Sequence, residues 1–124
     1  MVKIQVQKGF ITNSSSTVYT IVVFDVSLED FFKWVDELLA KTDEELEENV
    51  YKIEYNDDIR EVLESAKEHI EDYTSSGNTR KGTKYISFGG GGYDPETEFW
   101  NSLNVLEAYI KTKDLDHIYE CHES

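Results

Sequence analysis

Residues 9–24, GFITNSSSTVYTIVVF, join a tract of small polar side chains to the most strand-like run of the chain. The β-branched and aromatic residues from Thr17 to Phe24 end in the apolar series Ile21, Val22, Val23, Phe24, a pattern that predicts a central strand covered on both faces. Upstream, Val2, Ile4 and Val6 alternate with Lys3, Gln5 and Gln7, the period of a half-buried strand. Gly9 and residues 13–16 supply turn chemistry between the two, through positive φ at glycine and local hydrogen bonding by Asn and Ser. The two strands are therefore expected to form a β-hairpin with a long polar connection.

Gly9, Phe10, Ile11, Thr12, Asn13, Ser14, Ser15 and Ser16, placed after a short N-terminal strand and before a hydrophobic one, carry a resemblance. The stretch resembles the opening of many small uncharacterised proteins of bacteriophages and Gram-positive bacteria. The resemblance implies a phage or mobile-element setting and no reaction. On chemistry alone the serines read as a solvated loop: no G-x-S-x-G elbow is present, and a nucleophilic serine would need a base within reach.

With 124 residues the chain is long enough for one domain that buries about two thirds of its unfolded surface. No segment approaches the ~18 apolar residues of a membrane span, and residues 1–10 lack the apolar core of a secretory signal. A cytoplasmic protein is expected. The single cysteine, Cys121, excludes an internal disulfide.

The net charge of −14 is unevenly spread. Residues 27–73 hold 17 acids against 5 bases, whereas residues 74–93 hold three bases and no acid. Such a surface repels nucleic acid, whose binding rests on Lys and Arg neutralising phosphates, so no direct nucleic-acid partner is expected. A basic protein surface would be attracted instead.

Ser27 with Asp30 is a helix-start signature, and Leu28, Phe31, Phe32, Val35, Leu38 and Leu39 repeat at helical spacing, which predicts a core-facing helix over residues 27–41. Thr42 and Glu45 offer a second capping pair for a short acidic turn or helix over 42–48. Residues 49–55 alternate as a third strand. Asn56 is the expected cap of a helix whose apolar face is Ile59, Val62, Leu63, Ala66, Ile70 and Tyr73. Its outer face carries Asp57, Asp58, Glu61, Glu64, Glu68, Glu71 and Asp72, relieved by Arg60 and Lys67. This ladder of carboxylates is the candidate partner-binding face; the alternative is plain solvation. His69, at the edge of the stripe, reads as structural.

Residues 74–83 read as a polar loop, and residues 84–88 as a fourth strand opening into Gly89, Gly90, Gly91, Gly92, Tyr93, Asp94 and Pro95. With Asp94 as cap and Pro95 at the first helical position, a helix follows with Phe99, Leu103, Leu106 and Ile110 on one face. Glycines between a strand end and a helix start can cradle a phosphate, so Gly89, Gly90, Gly91, Gly92 and Asp94 form the alternative ligand loop. Neither the P-loop nor the dinucleotide fingerprint is present, and Asp94, Glu96 and Glu98 would repel an anion unless a divalent cation intervened. In the last segment His117, Cys121 and His122 do not make up the four ligands of a structural zinc site. No metal, cofactor or catalytic group is expected.

These elements predict a single α+β domain over residues 1–124, with a mixed or mainly antiparallel sheet of roughly four to five strands and about three helices against it. The expected function is a non-enzymatic accessory protein that binds a host protein with a basic surface through the acidic helical face, in one version by mimicking nucleic acid. A nucleotide- or metal-phosphate-binding module or enzyme using residues 89–94 and a structural assembly component are the alternatives.

Overall fold

The computed structural model describes residues 2–4, 17–52, 58–92 and 96–123. It shows an α+β fold in which helices pack against a four-stranded antiparallel sheet. The chain order is β1 (Val2–Ile4), β2 (Thr17–Phe24), α1 (Leu28–Leu39), α2 (Asp43–Asn49), β3 (Val50–Lys52), α3 (Ile59–His69) with a 3₁₀ turn (Ile70–Tyr73), β4 (Thr74–Asn78), β5 (Lys84–Gly92), α4 (Thr97–Lys113) and β6 (His117–Glu123). The main sheet has the order β4-β5-β2-β6.

β2 is a central strand, as its composition predicts, with β5 on one side and β6 on the other. Ile21 and Val23 point at the helices beside Phe88 and Ile86 of β5, and all four are essentially fully buried. The expectation of cover on both faces does not hold. Val22 and Phe24, on the other face, are half-buried, and Val18 and Ile118 are exposed. The continuous apolar run thus splits by the two-residue period of the strand into a sealed side and an open one.

The predicted hairpin is also corrected. β1 pairs with β3, in parallel, with Val2 opposite Val50 and Ile4 opposite Lys52, in a separate two-stranded sheet beside α4. Alternation in residues 2–7 identifies a strand but carries no information about its partner, and the nearest strand in sequence is not the one chosen. Residues 9–16 lie outside the described residues. So do residues 53–57, so the third strand is described only as Val50–Lys52.

Ser27 caps α1 in a full capping box: the Asp30 amide donates to Ser27 Oγ at 3.2 Å, and the Ser27 amide donates to Asp30 Oδ2 at 3.1 Å. These bonds, with Lys84 nearby, hold the Asp30 carboxyl below its ordinary range. A depressed folded-state pKa means that this contribution is present above the unfolded pKa and is lost as pH falls through the folded one. Ser27→Ala should therefore lower stability by about 1 kcal/mol at neutral pH. In urea titrations the deficit should shrink as the pH is taken into the acid range.

Where a loop is expected over residues 74–83, the structure has a hairpin. Thr74–Asn78 forms the edge strand β4 although TSSGN has poor strand propensity, because β5 offers it a ladder running from Thr74 opposite Phe88 to Asn78 opposite Lys84. The turn is confined to Thr79–Thr83, closed by the Thr79 amide on Thr83 O at 2.8 Å, with Gly82 at φ +84°. At the other end of the domain Asp114 adopts φ 51° and reverses the chain from α4 into β6.

α4 is the core element. Phe99, Trp100, Leu103, Val105, Leu106, Ala108, Tyr109 and Ile110 are all buried, so cover extends well beyond the single predicted stripe. The helix lies against α1, α3, β1 and β5. Such all-round cover explains why no simple polar face can be read from its sequence. Among the described residues no helix is long and apolar enough to cross a membrane.

Candidate functional site

The acidic face is built as the periodicity of α3 requires. Val62, Leu63, Ala66 and Ile70 are buried, and Glu61, Glu64, Glu68, Glu71 and Asp72 are exposed on the opposite side. The cap is Asp58 rather than Asn56: its Oδ1 accepts from the Arg60 amide at 2.9 Å. Asp58 thus serves the helix start, where its charge suits the dipole. Asn56 and Asp57 lie outside the described residues.

The two bases that the sequence sets among these acids turn away from them. Arg60 reaches the end of α1, where its Nη1 donates to Leu39 O at 2.7 Å and its Nη2 to Lys41 O at 2.9 Å. The same guanidinium bonds Asp43 Oδ1 of α2 through Nε at 3.2 Å and Nη2 at 3.1 Å. One carbonyl left over by the end of α1 and one from the connection after it are satisfied in this way, which makes Arg60 a staple between α3 and the α1–α2 corner. Lys67 pairs with Asp36 of α1. His69 alone stays close to the ladder, with Nδ1 3.5 Å from Asp72 and Nε2 3.9 Å from Glu68. Among the described residues no Lys or Arg lies within ion-pairing distance of Glu61, Glu64, Glu68 or Glu71.

α1 and α2 extend the acidic surface. Glu37 of α1 is exposed, as are Asp43, Glu44 and Glu45 at the start of α2. There the predicted capping pair is present, with the Glu45 amide on Thr42 Oγ1 at 3.2 Å and the Thr42 amide on Glu45 Oε2 at 3.4 Å.

The glycine reading is corrected. Gly89, Gly90, Gly91 and Gly92 are no loop between a strand and a helix: they continue β5, paired with Thr20, Tyr19, Val18 and Thr17 of β2. Backbone groups that a phosphate cradle would direct at a ligand are drawn into this ladder. α4 starts at Thr97 after Glu96, and Asp94 lies outside the described residues. Packing explains at least one of the glycines. A Cβ on Gly90 would sit 2.8 Å from Cε2 of Phe99.

His117 and Cys121 prove to be strand residues, four apart on the same side of β6. At ~3.3 Å of rise per residue their Cα atoms are about 13 Å apart, beyond reach of one ion. Among the described residues no group of three or more His, Cys, Asp or Glu side chains is placed to hold a metal.

One feature is absent from the reading of the sequence. Between α4 and the edge strand β6 lies a cleft of about 220 Å³, lined by Ile21, Glu107, Ile110, Lys111, His117 and Tyr119. Burial pushes the Glu107 carboxyl above its ordinary range, with Lys111 and His117 pulling it partly back. Partial burial, reinforced by the Glu107 charge, raises the Tyr119 phenol to about 12. A sequence signal does exist. Trp100, Asn104, Glu107 and Lys111 follow one another at spacings of three and four, a mixed stripe beside the apolar one.

No protein-family description, curated protein or solved structure matches this chain.

Proposed function

We propose that this chain is a non-enzymatic accessory protein that docks on a host protein with a basic surface through the acidic face of α3, its 3₁₀ turn and the neighbouring α1 and α2. One observation carries the reading: Glu61, Glu64, Glu68 and Glu71 stand exposed in a row while Arg60 and Lys67 are spent on α1 and α2. Carboxylates with no Lys or Arg of the described residues paired to them keep their field for a partner. Their mean separation of three to four residues corresponds to about 5 Å along a helix axis, a regular array of negative charge of the kind a nucleic-acid backbone presents. A nucleic-acid-binding host protein is accordingly the partner proposed, and the phage or mobile-element setting implied by residues 9–16 is consistent with such a role.

The test starts from the tagged chain passed over a lysate of its native host at low salt and then at ~0.5 M, where surface electrostatics are strongly screened. The partner recovered is then titrated with wild type and with a variant carrying Glu→Lys at positions 61, 64, 68 and 71. All four side chains are solvent-facing, so the variant should fold. Affinity is expected to drop by at least about a hundredfold, or ~2.7 kcal/mol, and the salt dependence to flatten. Equal affinity for the two proteins would remove the proposal.

A further inference from the structure

β6 is the edge of the main sheet, and its inward positions His117 and Tyr119, opposite Val23 and Ile21, meet one flank of α4 across the cleft. At about 220 Å³ the space exceeds the ~150 Å³ of an apolar cavity that accepts benzene and falls short of the ~300 Å³ at which sites for drug-sized ligands begin. One ring with a short substituent fits. Ile21 and Ile110 offer it apolar contact, and the Tyr119 ring offers an aromatic face.

The polar groups select the substituent. Glu107 is half-buried and makes no hydrogen bond or ion pair among the described residues. A carboxylate that has lost part of its hydration without gaining a donor is well served by a ligand that brings one. His117 Nδ1 lies 2.9 Å from Leu115 O, a carbonyl that can only accept, so that nitrogen carries a proton and the ring is held at the mouth of the cleft. Lys111 is exposed and can hold its ammonium in water, leaving the cleft to another cation.

We propose that the cleft between α4 and β6 binds a small aromatic amine, with its ring between Ile21, Ile110 and Tyr119 and its ammonium donating to the Glu107 carboxylate. The site is separate from the acidic face of α3, and neither proposal depends on the other.

Benzylamine, benzyl alcohol and benzoate are titrated into the intact chain while the methyl resonances of Ile21 and Ile110 are followed by NMR. Benzylamine should shift both methyls saturably, benzyl alcohol more weakly, and benzoate not at all. Glu107→Gln should weaken benzylamine about tenfold, the loss of one charge-assisted hydrogen bond, and leave benzyl alcohol unchanged, which also reports that the cleft has kept its shape. The proposal is overturned if benzoate binds as well as benzylamine, or if Glu107→Gln leaves benzylamine affinity unchanged. Shifts confined to the acidic residues of α3 would overturn it equally.

Discussion

Phe99→Ala is expected to cost roughly 3–5 kcal/mol, a large share of the 5–15 kcal/mol by which a domain of this kind is stable. Phe99 is 2 % exposed and sits in the first turn of α4, where its ring meets Tyr19 of β2, Tyr73 of the 3₁₀ turn, Phe88 of β5 and Trp100, with centroids 5.2–6.0 Å apart. Truncation removes the transfer free energy of the ring and leaves a hole that four rigid neighbours cannot close. Urea denaturation followed by near-ultraviolet circular dichroism checks both effects: a lower midpoint, and a weakened aromatic signal in the native state. A loss under 1 kcal/mol would mean that the α4–sheet junction is not packed as described.

Gly90→Val is the second substitution of large effect, with an expected loss of about 3 kcal/mol, the upper end of what overpacking costs. The backbone at Gly90 does not need glycine for its conformation, since positive φ among the described glycines is confined to Gly82 and Gly91. The cost is steric. A Cβ would lie 2.8 Å from Cε2 and 3.1 Å from Cδ2 of Phe99, and 3.5 Å from Cδ1 of Tyr73, so either the ring or the strand must move. Because the clash is with Phe99, the two substitutions should not add. In a Phe99→Leu background Gly90→Val should cost at least about 1 kcal/mol less than in wild type, a coupling measurable by a double-mutant cycle. Additive losses would place the strain elsewhere.

These two residues also show how far the chain can be read from its sequence. Phe99, Leu103, Leu106 and Ile110 announce a helix and the core side of it by their spacing, and all four are buried. The glycines mislead because four of them in succession look like a loop, whereas the reason for Gly90 is an aromatic ring from the following helix that needs the space of a missing side chain. Gly77 has the same origin: its Cβ would fall 2.6 Å from the hydroxyl of Tyr85 on the neighbouring strand. Close approach between elements is a tertiary fact with no local signature. The partner of β1 is hidden for the same reason, since its parallel pairing sets Val2 opposite Val50, far along the chain.

The candidate sites divide likewise. Exposure of Glu61, Glu64, Glu68 and Glu71 follows from the period of α3 and is legible in advance. The desertion of that face by Arg60 and Lys67 is not, because the partners Leu39, Lys41, Asp43 and Asp36 are set by the packing of α1 and α2 beside α3. The cleft at Glu107 requires knowing that residues 117–123 form an edge strand, which a short run with no decisive periodicity does not disclose.

The position of β2 has a further consequence, in time rather than space. Ile21 stands opposite Phe88 on one side and Tyr119 on the other, so its neighbours are made far later on the ribosome than it is. At ~5–20 residues per second, the most aggregation-prone segment of the chain waits several seconds for the first of them and longer for the second. Local helices such as α1, whose capping box is complete within a few residues, can form meanwhile, but the sheet cannot close. Closure of the sheet thus waits until residues 117–123 are made, and the sequence between the paired strands, dense in like charge, is the part that keeps the unfinished chain apart from its neighbours.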